Sequence, residues 1–274
     1  MSLRNQRWRE RRATFRPGAE VIDPTRYGVE PIDSDRLAAD FVKKHHYSGS
    51  FPSARVRVGL YRQRQWFTPE LVGIAVFGTP ASEKVLPKWT GQAPREAVEL
   101  SRFVLLDDVE GNGETWFLSR AFRVLEQAKP EVRAVLAFSD PVARVDEAGE
   151  TVTPGHIGAI YQSFSGRFVG RADASLKVLA PDGRDVTKPL LDKIRQEKRG
   201  RDYAMRALTA WGAPARRPGE EGAAYVARAL VEGPFRRYRH PGNLAYVWPL
   251  AHSARRVLPA EQPRPTTLEI AHAA

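Results

Sequence analysis

Cysteine is absent from the 274 residues of the chain. This absence excludes disulfides, thiolate nucleophiles and cysteine-ligated zinc, so any site chemistry must come from histidine, carboxylate, tyrosine or serine side chains. The same absence is typical of proteins that work in a reducing compartment, and we expect a cytoplasmic protein.

Long apolar runs are also missing. The apolar stretches, such as residues 71–77, fall far short of the roughly 18 to 20 residues that span a bilayer. The N-terminal segment is too rich in arginine for a secretory signal. We therefore expect no membrane partner.

Positive charge is abundant. The chain has 43 lysines and arginines against 32 aspartates and glutamates, a formal net charge of +11, and a calculated isoelectric point near 10.1. Such a surface attracts polyanions, and DNA or RNA is the first candidate partner.

Residues 1–25 form a predicted basic arm, with arginines that are candidates for phosphate contact. Two further candidate nucleic-acid-binding runs comprise Lys198 and Arg199, and Arg236, Arg237, Tyr238 and Arg239. In the second run an aromatic residue interleaves with cations, as suits backbone contact plus stacking, although each run could instead be a solvated charged face.

Hydrophobic periodicity predicts an α/β fold. Strands are predicted near residues 28–33, 56–61, 71–77, 98–106 and 132–138, with further strands near 168, 176–179 and 244–250. Ser34 is a predicted N-cap of a helix that ends near His45, and a second amphipathic helix covers residues 116–125. The order strand, helix, strand around this second helix favours a parallel crossover buried on both faces. We expect one catalytic domain over residues 26–252, with a basic helical insertion near its C-terminal end, and a disordered tail over 253–274.

Five short motifs occur in a fixed order along the chain. They are His46-Tyr47-Ser48, Glu-Leu-Ser-Arg-Phe-Val-Leu at 99–105, Glu-Thr-Trp-Phe-Leu-Ser-Arg-Ala at 114–121, Ala-Phe-Ser-Asp-Pro at 137–141, and Gly-His-Ile-Gly-Ala-Ile-Tyr-Gln at 155–162. Together they resemble the Mom family of phage DNA-modification proteins over roughly residues 35–170, with a weaker likeness at 238–248. The connection between Asp140-Pro141 and Gly155-His156 is longer than the family pattern leads us to expect.

The resemblance implies a Gcn5-related N-acetyltransferase-like fold: a mixed, mostly antiparallel sheet with flanking helices and a splayed parallel strand pair. It also implies an enzyme, a transferase that converts the exocyclic amine of adenine in DNA to a carbamoylmethyl derivative and so protects phage DNA from restriction. Two alternatives stay open. One is a coenzyme-A-dependent N-acyltransferase acting on a hypermodified DNA pyrimidine or a small amine, and the other is a nonenzymatic nucleic-acid-binding protein.

The resemblance and the strand-end positions indicate candidate catalytic residues. Asp140 follows a buried strand, where a carboxylate could orient an amine or accept its proton, and the alternative is a turn-forming Asp before Pro. Tyr161 opens the next helix, where acetyltransferase-like enzymes often place a general acid, and the alternative is a core tyrosine. Tyr47 and, more weakly, Ser119 complete the predicted catalytic set.

The predicted cofactor-binding residues are Arg102 and Thr115, for an acyl-coenzyme A or a related donor. The loop between them is a poor phosphate cradle, because Glu114 puts a carboxylate at the positive end of the helix dipole. His46, Tyr47 and Asp140 are a candidate metal set, and their nitrogen and oxygen donors suit iron better than zinc. An enzyme that modifies a base amine must flip the base from duplex DNA or act on a single strand.

Overall fold

The computed structural model describes residues 3–9, 12–17 and 19–265. The described strands are β1 (Leu3–Arg9), β2 (Arg12–Pro17), β3 (Tyr27–Pro31), β4 (Ala54–Arg64), β5 (Phe67–Gly78), β6 (Ala97–Leu105), β7 (Ala134–Ser139), β8 (Arg144–Val145), β9 (Thr151–Thr153), β10 (Arg167–Arg171), β11 (Ser175–Leu179), β12 (Arg236–His240) and β13 (Leu244–Pro249). The described α-helices are α1 (Asp35–His45), α2 (Val85–Thr90), α3 (Gly113–Ala128), α4 (Ala159–Ser163), α5 (Lys188–Arg195), α6 (Arg201–Ala210), α7 (Gly222–Glu232) and α8 (Ala254–Val257). None of the helices in these described ranges has the length and apolar composition to cross a bilayer.

The chain divides into two compact units. The first contains the described residues up to Asp140, His156–Ala172, and those from Asn243 onward, and the second contains Pro141–Gly155 and Asp173–Gly242. The long connection between the fourth and fifth motifs is thus explained, because residues 141–155 belong to the second unit. One catalytic domain over residues 26–252 with a basic helical insertion stays a prediction.

A seven-stranded sheet forms the first unit, in the order β10-β13-β7-β6-β5-β4-β3. Only β6 and β7 run parallel, and the other neighbours pair antiparallel. The helix α3 connects the parallel pair, as the strand, helix, strand pattern predicted. The fold class expected from the sequence, a mixed and mostly antiparallel sheet with one parallel pair and flanking helices, is confirmed.

Both faces of the central strand β7 are buried, because its side chains alternate between two hydrophobic clusters. Val135 and Ala137 pack with the α3 residues Phe117 and Leu118, whereas Leu136 packs on the opposite face with Leu86 and other residues around α2. Side chains alternate with period two along a strand, so continuous hydrophobicity marks a strand covered on both sides. Full burial of an aromatic such as Phe117 contributes about 1.5 to 3 kcal/mol by the usual area relation.

The helix α1 covers the same sheet further along. Ser34 caps it, since its hydroxyl accepts a hydrogen bond from the amide of Leu37 at 3.2 Å, as the sequence predicted. Ala38 and Val42 pack against Ile74, Val76 and Val104 of the sheet. The helix ends at His45, where cationic side chains favour the negative end of the helix dipole. Its end fixes where the following His46-Tyr47-Ser48 segment lies.

The second unit has its own helical core and two small sheets. Ile194 of α5, Leu208 of α6 and Tyr225 of α7 are buried together, and β11 pairs with β12 while β8 pairs with β9. Arg228 of α7 donates to both carboxylate oxygens of Glu220 at 2.8 Å each. This pairing lowers the pKa of Glu220 to about 2.

The tail predicted to be disordered from residue 253 is ordered as far as the structure describes it. It contains α8, Ala254 and Leu258 are buried, and the Gln262 amide donates to the carbonyl of Phe168 at 2.8 Å. Proline content misled the prediction, because a few apolar residues suffice to fix an irregular segment to a core. Residues 266–274 lie outside the described residues.

Candidate active site

The parallel strands β6 and β7 diverge in the middle of the sheet. Their pairing runs from Ala97 with Ala134 to Glu99 with Leu136 and includes no later residue pair. Two parallel strands that separate leave an opening lined by the residues that follow the last pair. Here those residues are the Glu99–Arg102 segment of β6 and the end of β7, which leads into Asp140.

A β-bulge in β6 puts the side chains of Glu99 and Arg102 on the same face of the strand. Phe77 pairs with Leu100, but the next partner of β5, Val76, pairs with Arg102, so Ser101 is the extra residue. In a regular strand a separation of three would put Glu99 and Arg102 on opposite faces. The extra residue returns Arg102 to the face of Glu99. In agreement, the charges of these two side chains act on each other.

Arg102 is held by the segment that follows α1. Its Nε donates to the Ser50 carbonyl at 2.9 Å and one terminal nitrogen donates to the Ser50 hydroxyl at 2.8 Å. Burial lowers the pKa of Arg102, and burial likewise raises the pKa of Glu99, against the effect of Arg102. The guanidinium is thus oriented by neutral oxygen acceptors and retains a positive charge that an incoming anion can use.

His46 lies beside this guanidinium in its neutral form. Burial, and then the charge of Arg102, lower the pKa of His46 to about 3. The Ser48 amide donates to Nδ1 of His46 at 3.1 Å. A neutral ring whose Nδ1 accepts carries its proton on Nε2, so Nε2 is a hydrogen-bond donor. Tyr47 stacks on His46 with ring centroids 4.2 Å apart.

Asp140 and His156 meet where the chain leaves and re-enters the first unit. The His156 amide donates to the Asp140 carbonyl at 2.7 Å. Burial lowers the pKa of His156, and the charge of Asp140 opposes this effect. Both residues are half-buried, so a carboxylate and a neutral imidazole stand close together at the end of β7.

The ring of Tyr161 packs against other aromatic rings. Its ring centroid is 5.6 Å from Tyr246, 5.6 Å from Trp248 and 6.4 Å from His156. Burial, and then the charged forms of Tyr47 and Glu99, raise the pKa of Tyr161. The phenol is therefore protonated across the neutral and mildly alkaline range, the state that a general acid requires.

Gly158 leaves the space that the ring of Tyr161 occupies. It has φ of +77°, a region that L side chains rarely adopt, and a Cβ there would come within 2.7 Å of the Tyr246 ring and 3.0 Å of the Tyr161 ring. We expect Gly158→Ala to lower the free energy of unfolding by about 2 to 4 kcal/mol, from backbone strain plus overpacking. It should also reduce activity, because the Tyr161 ring must shift. Thermal unfolding and an activity assay measure the two effects.

Gly149 is the matched control for this substitution. It has φ of +82° and no atom within 4 Å of an added Cβ. Gly149→Ala should therefore cost only the backbone strain of about 1 to 2 kcal/mol and leave activity unchanged. Equal stability and equal activity of the two variants would contradict the role given to Gly158.

The predicted metal set does not fit an ion in this arrangement. Among the described residues no three histidine, aspartate or glutamate side chains come together in a group that could hold a metal. Of the candidates His46, Tyr47 and Asp140, the histidine presents a protonated Nε2 and uses Nδ1 for Ser48. An iron site stays a prediction without support from the donor geometry.

The glycine loop before α3 does not fit a pyrophosphate either. The Gly111 amide, which would face a phosphate, donates to the Glu20 carboxylate at 2.6 Å, and Glu114 is buried in the first turn of α3. Thr115, predicted to bind a cofactor, donates its hydroxyl to Asn112 Oδ1 at 2.6 Å. Carboxylates at this site repel a diphosphate, so the structure does not support Thr115 as a ligand of coenzyme A.

The other predicted catalytic residues separate into two groups. His46, Tyr47, Arg102, Asp140 and Tyr161 are linked by mutual contacts or electrostatic interactions, directly or through His156. Ser119 lies on α3, half-buried, and we find no described contact that joins it to this group. Its catalytic role stays a prediction.

Three residues of the group were not predicted from the sequence. Glu99 and His156 occur in the quoted motifs but received no role, and Ser50 was not considered. The signal for His156 was its position one residue after Gly155 in a motif that already contained Tyr161. Glu99 was hidden by the bulge, because period-two alternation puts it on the other face from Arg102.

Residues 3–9 and 12–17 of the predicted basic arm form β1 and β2, and residues 1–2, 10–11 and 18 lie outside the described residues. The other predicted nucleic-acid-binding residues lie in the second unit. Arg236, Arg237 and Arg239 of β12 are exposed, as are Lys198 and Arg199 before α6. Tyr238 was wrongly interpreted as a stacking residue: it is 7% exposed and its hydroxyl donates to Asp185 at 2.8 Å. Alternation along β12 turns Tyr238 inward while its arginine neighbours face solvent.

A protein-family model matches most of the chain. No curated protein matches the chain. A solved structure titled "Tandem GNAT protein from the clavulanic acid biosynthesis pathway (without AcCoA)" is similar at 8% identity, covering 82% of this chain and 99% of the other with a TM-score of 0.39. The model of the Mom protein family matches residues 26–265, which include every residue of the group described above. The chain therefore belongs to the Mom protein family.

Proposed function

We propose that the chain is a transferase that modifies the exocyclic amine of adenine in DNA, with a carbamoylmethyl group as the expected addition. The observation that carries this proposal is the convergence of His46, Arg102, Asp140, His156 and Tyr161 where β6 and β7 diverge. Membership of the Mom protein family supports the target, and the net charge of +11 supports a polyanionic substrate.

The reaction needs an amine that attacks an electrophilic carbon of a donor. The new nitrogen–carbon bond forms as the bond from that carbon to the leaving group breaks. Asp140 accepts the proton that the amine loses, and His156 beside it stays neutral and can position the amine through a hydrogen bond. Tyr161 delivers a proton to the leaving group.

Arg102 stabilises negative charge in the proposed reaction. Its guanidinium is fixed by two hydrogen bonds to Ser50 before any substrate arrives. A preorganised cation stabilises negative charge that develops in the transition state without reorganisation at the moment of reaction. The proposed donor is a compound related to acyl-coenzyme A whose leaving group is on the methylene carbon of the carbamoylmethyl unit, because attack at the thioester carbonyl of an acyl-coenzyme A would give an N-acyl product instead.

The target base must leave the helix stack, because its exocyclic amine is paired inside a duplex. Exposed cations of the second unit, Arg236, Arg237, Arg239, Lys198 and Arg199, are the proposed phosphate contacts. Phosphate contacts of this kind give an affinity that falls steeply as salt rises.

Mass spectrometry of nucleosides tests the proposal. Plasmid DNA is isolated from a host without such modifications after expression of the chain and digested to nucleosides. We expect a deoxyadenosine heavier by one carbamoylmethyl group, and a host carrying an empty vector is the control. A shifted pyrimidine would favour acylation of another base, and unmodified DNA in an expressing host would overturn the proposal.

A further inference from the structure

We propose that Glu99 and Arg102 together bind the carboxamide of the transferred group and so select a carbamoylmethyl unit over a carboxymethyl unit. Glu99 is the last residue of β6 that pairs with β7, and Arg102 lies in the diverging stretch beyond it. The inference rests on the proposed function and deepens it. It assigns a role to Glu99, which the reaction scheme leaves unused, and names the chemical feature of the donor that the site recognises.

The carboxylate of Glu99 and the guanidinium of Arg102 share a face of β6 without direct contact. The extra residue at Ser101 puts both side chains on that face. Between these two described side chains there is an attraction of charges, but no hydrogen bond or ion pair joins them. The space between them therefore suits a neutral polar group that donates a hydrogen bond to one and accepts from the other.

Arg102 has hydrogen-bond donors left for a ligand. A guanidinium has five N–H groups. Nε and one terminal nitrogen donate to Ser50, and the other terminal nitrogen donates to the Ser101 carbonyl at 2.5 Å. Three of the five N–H groups thus have acceptors among the described residues. The two that remain are on the terminal nitrogens and can donate to a carbonyl oxygen of a ligand.

The carboxylate of Glu99 has acceptor capacity left as well. No hydrogen bond from a described residue reaches its side-chain oxygens, and the Ser101 hydroxyl donates only to the backbone carbonyl of Glu99, at 3.2 Å. The side chain is half-buried. Burial of a carboxylate costs free energy unless hydrogen-bond donors compensate for the lost water. N–H groups of a bound ligand would provide that compensation.

A primary carboxamide matches this pair of side chains. It carries N–H donors beside a carbonyl acceptor, so the N–H donates to Glu99 while the oxygen accepts from Arg102. A carboxylate in the same place would be repelled by Glu99, and an ammonium group by Arg102. An ester or a thioester has no N–H for Glu99. Adenine also has a donor beside an acceptor, but its amine is assigned to Asp140.

The same contact would assist the reaction. The carboxamide oxygen is one bond beyond the carbon attached to the methylene at which the new nitrogen–carbon bond forms, and a hydrogen bond from Arg102 stabilises negative charge that develops on that oxygen. The charges of Glu99 and Arg102 also act on Tyr161. A carboxamide bound by this pair would therefore lie close to the proposed general acid.

Binding of modified oligonucleotides tests the proposal without a donor or turnover. Three single-stranded oligonucleotides of one sequence carry unmodified adenine, N6-carbamoylmethyladenine or N6-carboxymethyladenine at one central position. Their affinities for the full chain are measured by fluorescence anisotropy. We expect the wild type to bind the carbamoylmethyl form at least about tenfold more tightly than either of the others, because hydrogen bonds to charged groups are the stronger kind.

Two substitutions of Glu99 separate its charge from its reach. Glu99→Gln should remove the preference and turn it toward the carboxymethyl form, because Arg102 then attracts a carboxylate without an opposing charge. Its thermal stability should be unchanged, since no described hydrogen bond to the carboxylate is lost. Glu99→Asp retains the charge but withdraws it by one methylene. It should bind the carbamoylmethyl form less tightly and still reject the carboxymethyl form.

Glu83→Gln is the matched control, because it removes the same charge from an exposed position. It should bind the three oligonucleotides as the wild type does, and an equal loss of preference in Glu83→Gln and Glu99→Gln would overturn the proposal. So would equal or absent binding of the three forms by the wild type, or a wild-type preference for the carboxymethyl form. A preference that survives Glu99→Gln would contradict the role of Glu99.

The outcome is separate from that of the proposed function. Equal affinity for the unmodified and the carbamoylmethyl forms would mean that the pair does not recognise the carboxamide, and it would overturn the inference while a modified nucleoside from the host still supported the proposed function. Conversely, unmodified DNA from the host would overturn the proposed function, whereas the preference among the three oligonucleotides is measured without any donor.

Discussion

Asp140→Asn is expected to lower the rate of base modification by about 10²- to 10⁴-fold, the usual range for loss of a general base. The amide has the shape of the carboxylate but does not accept a proton from the amine. The backbone carbonyl of residue 140 still accepts the His156 amide, at 2.7 Å in the wild type. The connection at the end of β7 should therefore persist, and DNA affinity should stay within about twofold. Nucleoside mass spectrometry over time gives the rate.

His156 does not replace the missing carboxylate in this variant. The charge of Asp140 is what raises the pKa of His156 against the effect of burial. Without that charge the pKa of His156 falls further, and the imidazole becomes a weaker base. A control, Asp40→Asn, removes the same charge from an exposed position of α1 and should retain the wild-type rate. Full activity of Asp140→Asn would refute the assignment.

Tyr161→Phe is the second large effect we expect, again a loss of about 10²- to 10⁴-fold in rate. Phenylalanine retains the ring contacts at 5.6 Å with Tyr246 and Trp248, so only the proton donor is lost. Burial raises the pKa of Tyr161 above its usual value of 10. The wild-type rate should therefore show no alkaline decline from this residue below about pH 10.

Tyr246→Phe is the informative control, because it removes a hydroxyl from the neighbouring ring. The Tyr246 hydroxyl donates to the Ile157 carbonyl and accepts from Gln162 at 3.0 Å. Its loss should cost about 1 kcal/mol of stability for the missing hydrogen bonds while most of the activity remains. If Tyr161→Phe and Tyr246→Phe lost activity equally, the hydroxyl of Tyr161 would have a structural role only.

The secondary structure of the first unit could be predicted where local pattern decides it. The N-cap at Ser34, the apolar strands that became β5 and β7, and the amphipathic stripe of α3 are each set by residues close in sequence. The elements that were missed have weaker local signals. The helix α7 is apolar on much of its surface, and β1 and β2 carry arginine where a strand usually carries apolar residues.

The candidate site could be predicted in part, for the same physical reason. Asp140 follows the strand β7, and Tyr161 lies in the first turn of the helix α4. Both positions are therefore set by residues close in sequence. Tyr238 was misread because the face that a strand buries depends on what packs against it, here the network with Asp185. Thr115 stays a prediction without structural support, because the Glu20 carboxylate, 91 residues before Gly111 in sequence, occupies the amide of that loop.

The sequence by itself determined the family, the class of fold and the types of side chain available for chemistry, because motif order and hydrophobic period are properties of neighbouring residues. The tertiary structure alone decided which of those side chains act together. A bulge of one residue at Ser101 puts Glu99 on the face of Arg102, the end of α1 brings Ser50 to that guanidinium, and burial sets His46 neutral and Tyr161 protonated. Register shifts and desolvation arise from packing between segments distant in sequence, and no local pattern records them.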